Sequence, residues 1–383
     1  MSFLHGVEVI TIEDGPRPIK TVRSSIIGIV GTANDADVDA FPLNTPVLVK
    51  SRKEAGKLGA LGSLPGSMKA IYEQCGALCI VVRVEEDESD KKTISNIIGK
   101  ITPEGNQTGL QCLVGAESQR GFRPRILIAP GFSVHPGVVE ALNETAERLR
   151  AVAVIDGPNA GDTAAISIAE KLGSKRLFMV DPFVKVWDRE TDGYVDRPAS
   201  PYVAGLIVQV DNERGFWWSP SNNLINGITG TQRPIDFVMG DRNSSANLLN
   251  ENKVATIINQ EGYRFWGNRT LSADPKWAFL QVVRTADIIN DSILKAHLWA
   301  VDRNITKTYY DDVTEGINSY LRHLKQLGSI LGGECRVDRE KNPISEISQG
   351  HVTFEFDFTP PVAAEHITIQ SKLVDHYFAT VLE

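Results

Sequence analysis

The strongest constraint on this chain is a repeating beat of short, almost wholly apolar runs. Ile26–Val30, Leu78–Val84, Arg125–Ala129, Ala151–Asp156 and Arg176–Val180 carry no apolar/polar alternation. Strands lose their alternation when helices cover both faces of a parallel sheet. Helices are expected between these runs, near Lys53–Leu58 and Ser67–Gln74, from about Pro136 to Arg150, and over Asp162–Leu172. A further strand is expected at Val47-Leu48-Val49, and Pro130-Gly131 and Gly157-Pro158-Asn159 supply turns. Strand, loop, helix and strand in repetition specify a doubly wound α/β sheet.

The ends differ from this middle. Residues 1–20 read as an arm, with a β-prone run from Val7 to Ile12 and a turn at Asp14-Gly15-Pro16. Residues 85–108, with Glu85-Glu86-Asp87-Glu88 and Lys91-Lys92, read as a charged surface loop or small insertion. After Arg264 the rhythm changes. A helical face (Phe279, Val283, Ala286, Ile289, Ile293, Ala296, Ala300) is expected over 276–301, and a second helix over Val313–Leu327. Val352, Phe354, Phe356 and Phe358 alternate with polar residues as a half-covered strand does. Pro360-Pro361 ends it, and a short strand is expected at Glu365–Gln370, with Ile367 and Ile369 on one side. The resulting division is an arm at 1–20, an α/β domain at 21–265 with a variable surface insertion at 85–120, and a smaller α+β domain at 266–383 whose last part, 360–383, is a second arm.

Composition narrows the function classes. A net charge of −8 and a pI near 5.5 argue against nucleic acid as the main partner, because phosphates demand a basic surface. The first residues lack the basic and apolar regions of a leader, and no apolar run reaches the roughly 20 residues of a membrane-spanning helix, so synthesis and folding in the cytoplasm are expected. Cys75, Cys79, Cys112 and Cys335 lack the second pair or His cluster of a metal site and read as small core residues. No metal or cofactor is expected. The nucleophile elbow and the P-loop are absent, and Gly28-Ile29-Val30-Gly31 lacks the three-glycine dinucleotide spacing. Ser133, His135 and Asp156 lie at strand ends, where α/β enzymes place catalytic groups. The competing structural reading has Ser133 or a neighbour capping the next helix, Pro136 in its first turn, and Asp156 accepting loop hydrogen bonds.

Two aromatic segments remain, GFWWSPSNNLING at Gly215–Gly227 and GYRFWGNRTL at Gly262–Leu271. Taken alone, each reads as a rigid turn in which Trp rings fill space and Asn and Ser satisfy loop backbone. In order with MSFLHGV at the start, ILIAPGFS at Ile126–Ser133 and AVAVIDGP at Ala151–Pro158, they resemble the contractile tail sheath proteins of myovirus-type phages and R-type bacteriocins. The resemblance spans essentially the whole chain; the acidic stretch at 85–92 falls in the family's variable region, so no role carries over to it.

The resemblance implies a subtilisin-like α/β domain without a working protease site, plus a smaller C-terminal domain. It implies a structural subunit that polymerises around an inner tail tube and contracts to drive the tube through an envelope. The chain-end arms would add strands to sheets of neighbouring subunits, with Val7, Val9, Ile10 and Ile12 from one arm and Ile367 and Ile369 from the other. The C-terminal domain would face the tube, with Arg322 and Lys325 as the contact, although these two charges also suit an ordinary solvated helix face. Partners would be further copies in a helical polymer of stacked hexameric rings, the tube protein, and baseplate and tail terminator proteins, with no direct nucleic acid and no membrane. The location would be a virion tail or an extracellular bacteriocin particle, assembled in the host bacterial cytoplasm. The alternatives are a degenerate or unrecognised α/β hydrolase built on Ser133, His135 or Asp156, and a different polymer or scaffold.

Overall fold

The computed structural model describes residues 18–188 and 191–378. The first part of the chain runs β1 (Ile26–Thr32), β2 (Val47–Val49), α1 (Arg52–Ala55), α2 (Ser63–Gln74), β3 (Leu78–Val84), α3 (Asp90–Ile98), α4 (Ala116–Arg120) and β4 (Ile126–Ile128). It continues with α5 (Pro136–Leu149), β5 (Val152–Asp156), α6 (Asp162–Leu172), β6 (Leu177–Val180), β7 (Val184–Asp188), β8 (Gly193–Arg197) and α7 (Ser200–Glu213). Then follow β9 (Gly230–Thr231), α8 (Ser245–Glu251), β10 (Val254–Asn259), β11 (Tyr263–Trp266), α9 (Leu280–Ala296), α10 (Lys307–Gln326), β12 (Gly332–Arg336), α11 (Ile344–Ile347) and β13 (Glu355–Thr359).

One large sheet has the order β11-β10-β6-β5-β4-β1-β3-β2. Its pairs from β10 to β3 are parallel, and only the outer strands β11 and β2 run antiparallel. The apolar runs are therefore buried from both sides, as their lack of alternation requires. On one face Ile27, Ile29, Ile128, Val154 and Phe178 meet Leu64, Met68 and Ile71 of α2 and Val203, Leu206 and Ile207 of α7. On the other, Val30, Val82, Leu127, Ile155 and Met179 meet Val138, Leu142 and Leu149 of α5 and Ala165 and Ala169 of α6. A third core joins the end of α9 to α10, with Val313, Ile317, Leu321 and Leu324 stacked on one side and Cys335, Phe356 and Phe358 of the β12–β13 sheet, with Phe354 just before β13, against them. A small antiparallel sheet, β8-β7-β9, completes the strands among the described residues.

Local chemistry accounts for the helix ends. Pro136 stands in the first turn of α5, as expected, but the preceding position is His135 without a side-chain cap, so Ser133 does not cap it. The hydroxyl of Thr306 accepts from the Tyr309 amide and starts α10. The charged stretch at 85–108 is not merely a loop: it contains α3, anchored by buried Thr93 and Ile97 one turn apart. Two buried positions amid charged neighbours are too few for a helical period to stand out. The helix expected over 276–301 is shorter, since α9 spans Leu280–Ala296 with single 3₁₀ turns on either side.

Helices α2 and α7 cross closely at Gly205. A β-carbon there would lie 2.9 Å from the Ile71 carbonyl oxygen and 2.9 Å from Gln74 Cγ. Gly205→Leu should therefore force the helices apart and destabilise the fold by about 1–3 kcal/mol, read as a lower denaturant midpoint; an unchanged midpoint would show that the crossing yields at no cost.

Candidate assembly surfaces and a closed α/β crevice

The strand order reverses beside β1, and an α/β enzyme would open its crevice at the carboxyl ends of the strands there. In this chain the crevice is closed by hydrogen bonds. The Ser133 hydroxyl donates to the Asp156 carboxylate at 3.0 Å and accepts from the Asp156 amide at 2.9 Å. Ser200, in the first turn of α7, donates to the same carboxylate from its amide at 2.8 Å and its hydroxyl at 2.7 Å. Burial pushes the Asp156 carboxyl up, and the bonds donated by Ser200 and Ser133 oppose that rise. All three residues are buried. His135 starts α5 on backbone bonds to Phe132, Val138 and Val139, and joins neither Ser133 nor Asp156. The three residues thus tie a loop, a strand and a helix together, and His135 does not complete a Ser-His-Asp relay. Among the described residues no three His, Cys, Asp or Glu side chains converge as metal ligands. The four thiols are free, and burial pushes those of Cys75 and Cys335 up to about 11 and that of Cys112 to about 12.

Helix α9 carries the densest electrostatics. Its Leu280 and Val283 belong to the first core, whereas Ile289 and Ile293 belong to the third. Arg284, Asp287 and Asp291 recur at three- and four-residue spacing along one face, and all are buried. Arg284 makes a bidentate pair with Asp211 of α7, at 2.7 and 2.5 Å. Asp287 pairs with Arg176 at the start of β6, and that arginine also meets Glu147 at 2.7 Å. Asp291 pairs with Arg125 at the start of β4, with Arg123 at 3.1 Å and with Arg150 at 3.3 Å. Burial lowers the Arg125 pKa, and Asp291 opposes the fall. The apolar stripe of this helix does not reveal these pairs; their signal in the sequence is three charges in helical register inside an apolar segment.

The third core presents an incomplete sheet. β12 and β13 pair only with each other among the described residues. Phe354, Phe356 and Phe358 pack toward the core yet stay half-buried. Residues 360–378 form no strand, contrary to the expectation for Glu365–Gln370. Ile367 is 72% exposed, Ile369 88% and Leu373 98%. A strand needs a neighbour for its ladder, and the described residues supply none here. The chain enters from the same side: Ile19 packs on the third core, the Thr21 hydroxyl lies 3.1 Å from that of Tyr320, and the Val22 amide donates to Ser292 at 3.0 Å. Val7, Val9, Ile10 and Ile12 lie outside the described residues. Arg322 and Lys325 are exposed in the last turns of α10, and Arg322 pairs with Glu315 of the same helix.

The two aromatic segments meet. Asn222 donates to the Phe265 carbonyl at 2.7 Å, Phe265 to Asn223 at 3.0 Å and Ile225 to Tyr263 at 2.9 Å, so the first segment runs along β11 and covers that sheet edge. The Asn223 amide group satisfies the Pro220 and Ser221 carbonyls, as a loop-stabilising Asn should. Phe216 is buried, but Trp218 is 48% exposed under Arg214, so the space-filling role falls to Phe216 and not to both tryptophans.

Two substitutions test these assignments. Asp291→Ala leaves Arg125 buried without its counter-charge and should cost about 3–5 kcal/mol in denaturant unfolding. Ser133→Ala leaves the buried Asp156 amide without its acceptor and should cost about 1–3 kcal/mol while polymers still form; loss of a hydrolytic activity in that variant would restore the catalytic reading.

Comparison with known proteins identifies the family. Residues 24–84 match the tail sheath protein Gp18 domain III N-terminal region, residues 105–271 the phage tail sheath protein central domain, and residues 272–373 the phage tail sheath C-terminal domain. The chain is 44% identical to a putative prophage major tail sheath protein of Pseudomonas aeruginosa (strain UCBPP-PA14), covering 100% of both. It is 36% identical to the tail sheath protein of Escherichia phage P2, over 99% of this chain and 98% of the relative. The fold matches the helical sheath of the anti-feeding prophage in its contracted state, with a TM-score of 0.73 at 18% identity, over 97% of this chain and 99% of that one. This chain belongs to the phage tail sheath family and is a structural sheath subunit, not an enzyme.

Proposed function

We propose that the chain polymerises as a helical sheath around an inner tail tube and contracts to drive that tube through a target envelope. The observation that carries this reading is the combination of a two-stranded sheet, β12–β13, with an exposed β-prone tail that finds no ladder among the described residues. Strand addition between subunits satisfies both: main-chain bonds supply strength, and alternating side chains such as Ile367 and Ile369 set register. Val7, Val9, Ile10 and Ile12 supply the second exchanged strand. Both ends leave from the third core, which supports exchange at one module (Ile19 and Thr21 on one side, the tail after β13 on the other).

Contacts that do not close into a ring build a helical filament, and two packings of such a filament need differ only modestly per subunit. The buried ion pairs of α9 support rigid-body movement of the subunit, with the arms as hinges between neighbours. We take 21–265 and 266–383 as the two domains, and the α/β domain as a subtilisin-like scaffold without its chemistry, a reading supported by its parallel sheet and closed crevice. Arg322 and Lys325 supply the contact to the tube protein, favoured by their exposure at the end of α10. Stacked hexameric rings, baseplate and terminator proteins complete the assembly, in a virion or particle tail put together in the host cytoplasm.

Deleting residues 1–14, or the tail from Glu365 onward, should give a folded protein that forms no tubes by negative-stain microscopy; tubes of normal form from either truncation would end the arm-exchange reading. Charge reversal at both Arg322 and Lys325 should leave empty sheath assembly intact and abolish co-sedimentation with tube protein, and retained co-sedimentation would remove the assigned contact.

A further inference from the structure

The exposed tail is gripped at Glu365. The Arg269 guanidinium grips the Glu365 carboxylate with two parallel bonds, Nε to Oε1 at 2.7 Å and Nη2 to Oε2 at 2.5 Å. The same guanidinium lies over the Phe279 ring, 5.6 Å from its centre. Glu365 raises the Arg269 pKa above its ordinary value, so the charge is secure. The platform beneath is rigid. Arg269 and Phe279 form an antiparallel bridge, the Leu280 amide donates to the Asn268 carbonyl at 3.0 Å, and the Thr270 amide donates to the Ala278 carbonyl at 2.7 Å. Asn268 and Thr270 on either side are buried. Past Glu365, exposure rises toward the fully open Leu373.

We propose that Arg269 is the positioning residue of the C-terminal arm: its grip on Glu365 fixes the point and direction from which residues 366 onward reach a second copy of this chain. The inference rests on the arm-exchange reading and adds the element that aims the arm. An exposed ion pair is ordinarily weak, but a bidentate guanidinium–carboxylate pair on a fixed platform is the favourable case. Limiting the directions of a tethered strand raises its effective concentration at the neighbour's sheet, and loss of the grip dilutes it.

The test uses the full chain carrying Arg269→Glu, Glu365→Arg or both. Each single exchange should lower tube yield about five-fold and speed protease cleavage beyond Glu365 at low salt to a similar extent, with the thermal midpoint unchanged. The double exchange re-forms the pair and should bring both readouts back toward the parent. Raising salt to about 0.5 M should make parent cleavage approach that of the singles. Singles that assemble and resist cleavage like the parent, or a double no better than the singles, overturn the proposal. If a single exchange lowers the thermal midpoint, Arg269→Gln takes its place with the same two outcomes. Failure of the arm reading shows separately, as normal tubes from the chain truncated at Glu365. The cleavage assay needs no polymer and judges the grip in either case.

Discussion

Three charges on α9 hold the molecule together as a unit. Arg284, Asp287 and Asp291 each meet a buried or half-buried partner on the α/β layer, namely Asp211, Arg176 and Arg125. A buried charge is tolerated only with its counter-charge and further hydrogen bonds in place, so these pairs permit one arrangement of the helix and penalise others steeply. The same helix carries apolar residues into the first core at its start and the third core at its end. Sheet and C-terminal part are thereby registered to each other by one element. For a subunit proposed to move as a rigid body, that is where rigidity is needed.

The α/β layer illustrates how a catalytic-looking neighbourhood becomes structural. Ser133 and Asp156 stand at adjacent strand ends and touch, as a nucleophile and a carboxylate might. The Ser133 hydroxyl is occupied at both of its bonding roles by Asp156, and Ser200 fills the remaining carboxylate positions. The result is a buried, satisfied polar cluster that fastens α7 to the sheet. Membership of the sheath family fits this geometry, since the chemistry of the crevice is hydrogen bonding between elements.

The C-terminal part is unfinished by the same standard of satisfaction. Among the described residues its two strands pair only with each other, its three phenylalanines are half-covered, and its tail is exposed. In a monomer these are liabilities, because free edges and apolar strips invite association. In the proposed polymer, strand exchange covers them. The large sheet is treated differently at β11, where the segment around Asn222–Ile225 covers the edge.

The sequence by itself determined the doubly wound core, because strands buried on both faces must be apolar throughout, and it located β13 through the spacing of Phe354, Phe356 and Phe358. It also pointed to sheath proteins through Gly215–Gly227 and Gly262–Leu271, although it could not say that these segments lie side by side. Pairing between segments far apart in the chain leaves no local periodicity to read. The same limit hid α3, whose two buried positions sit among charges, and the α9 ion pairs, whose partners lie more than a hundred residues away in the case of Arg176 and Arg125. The strand expected at Glu365–Gln370 shows the converse. Its β-prone alternation is written in the sequence, but a strand exists only where another backbone answers it, and among the described residues none does.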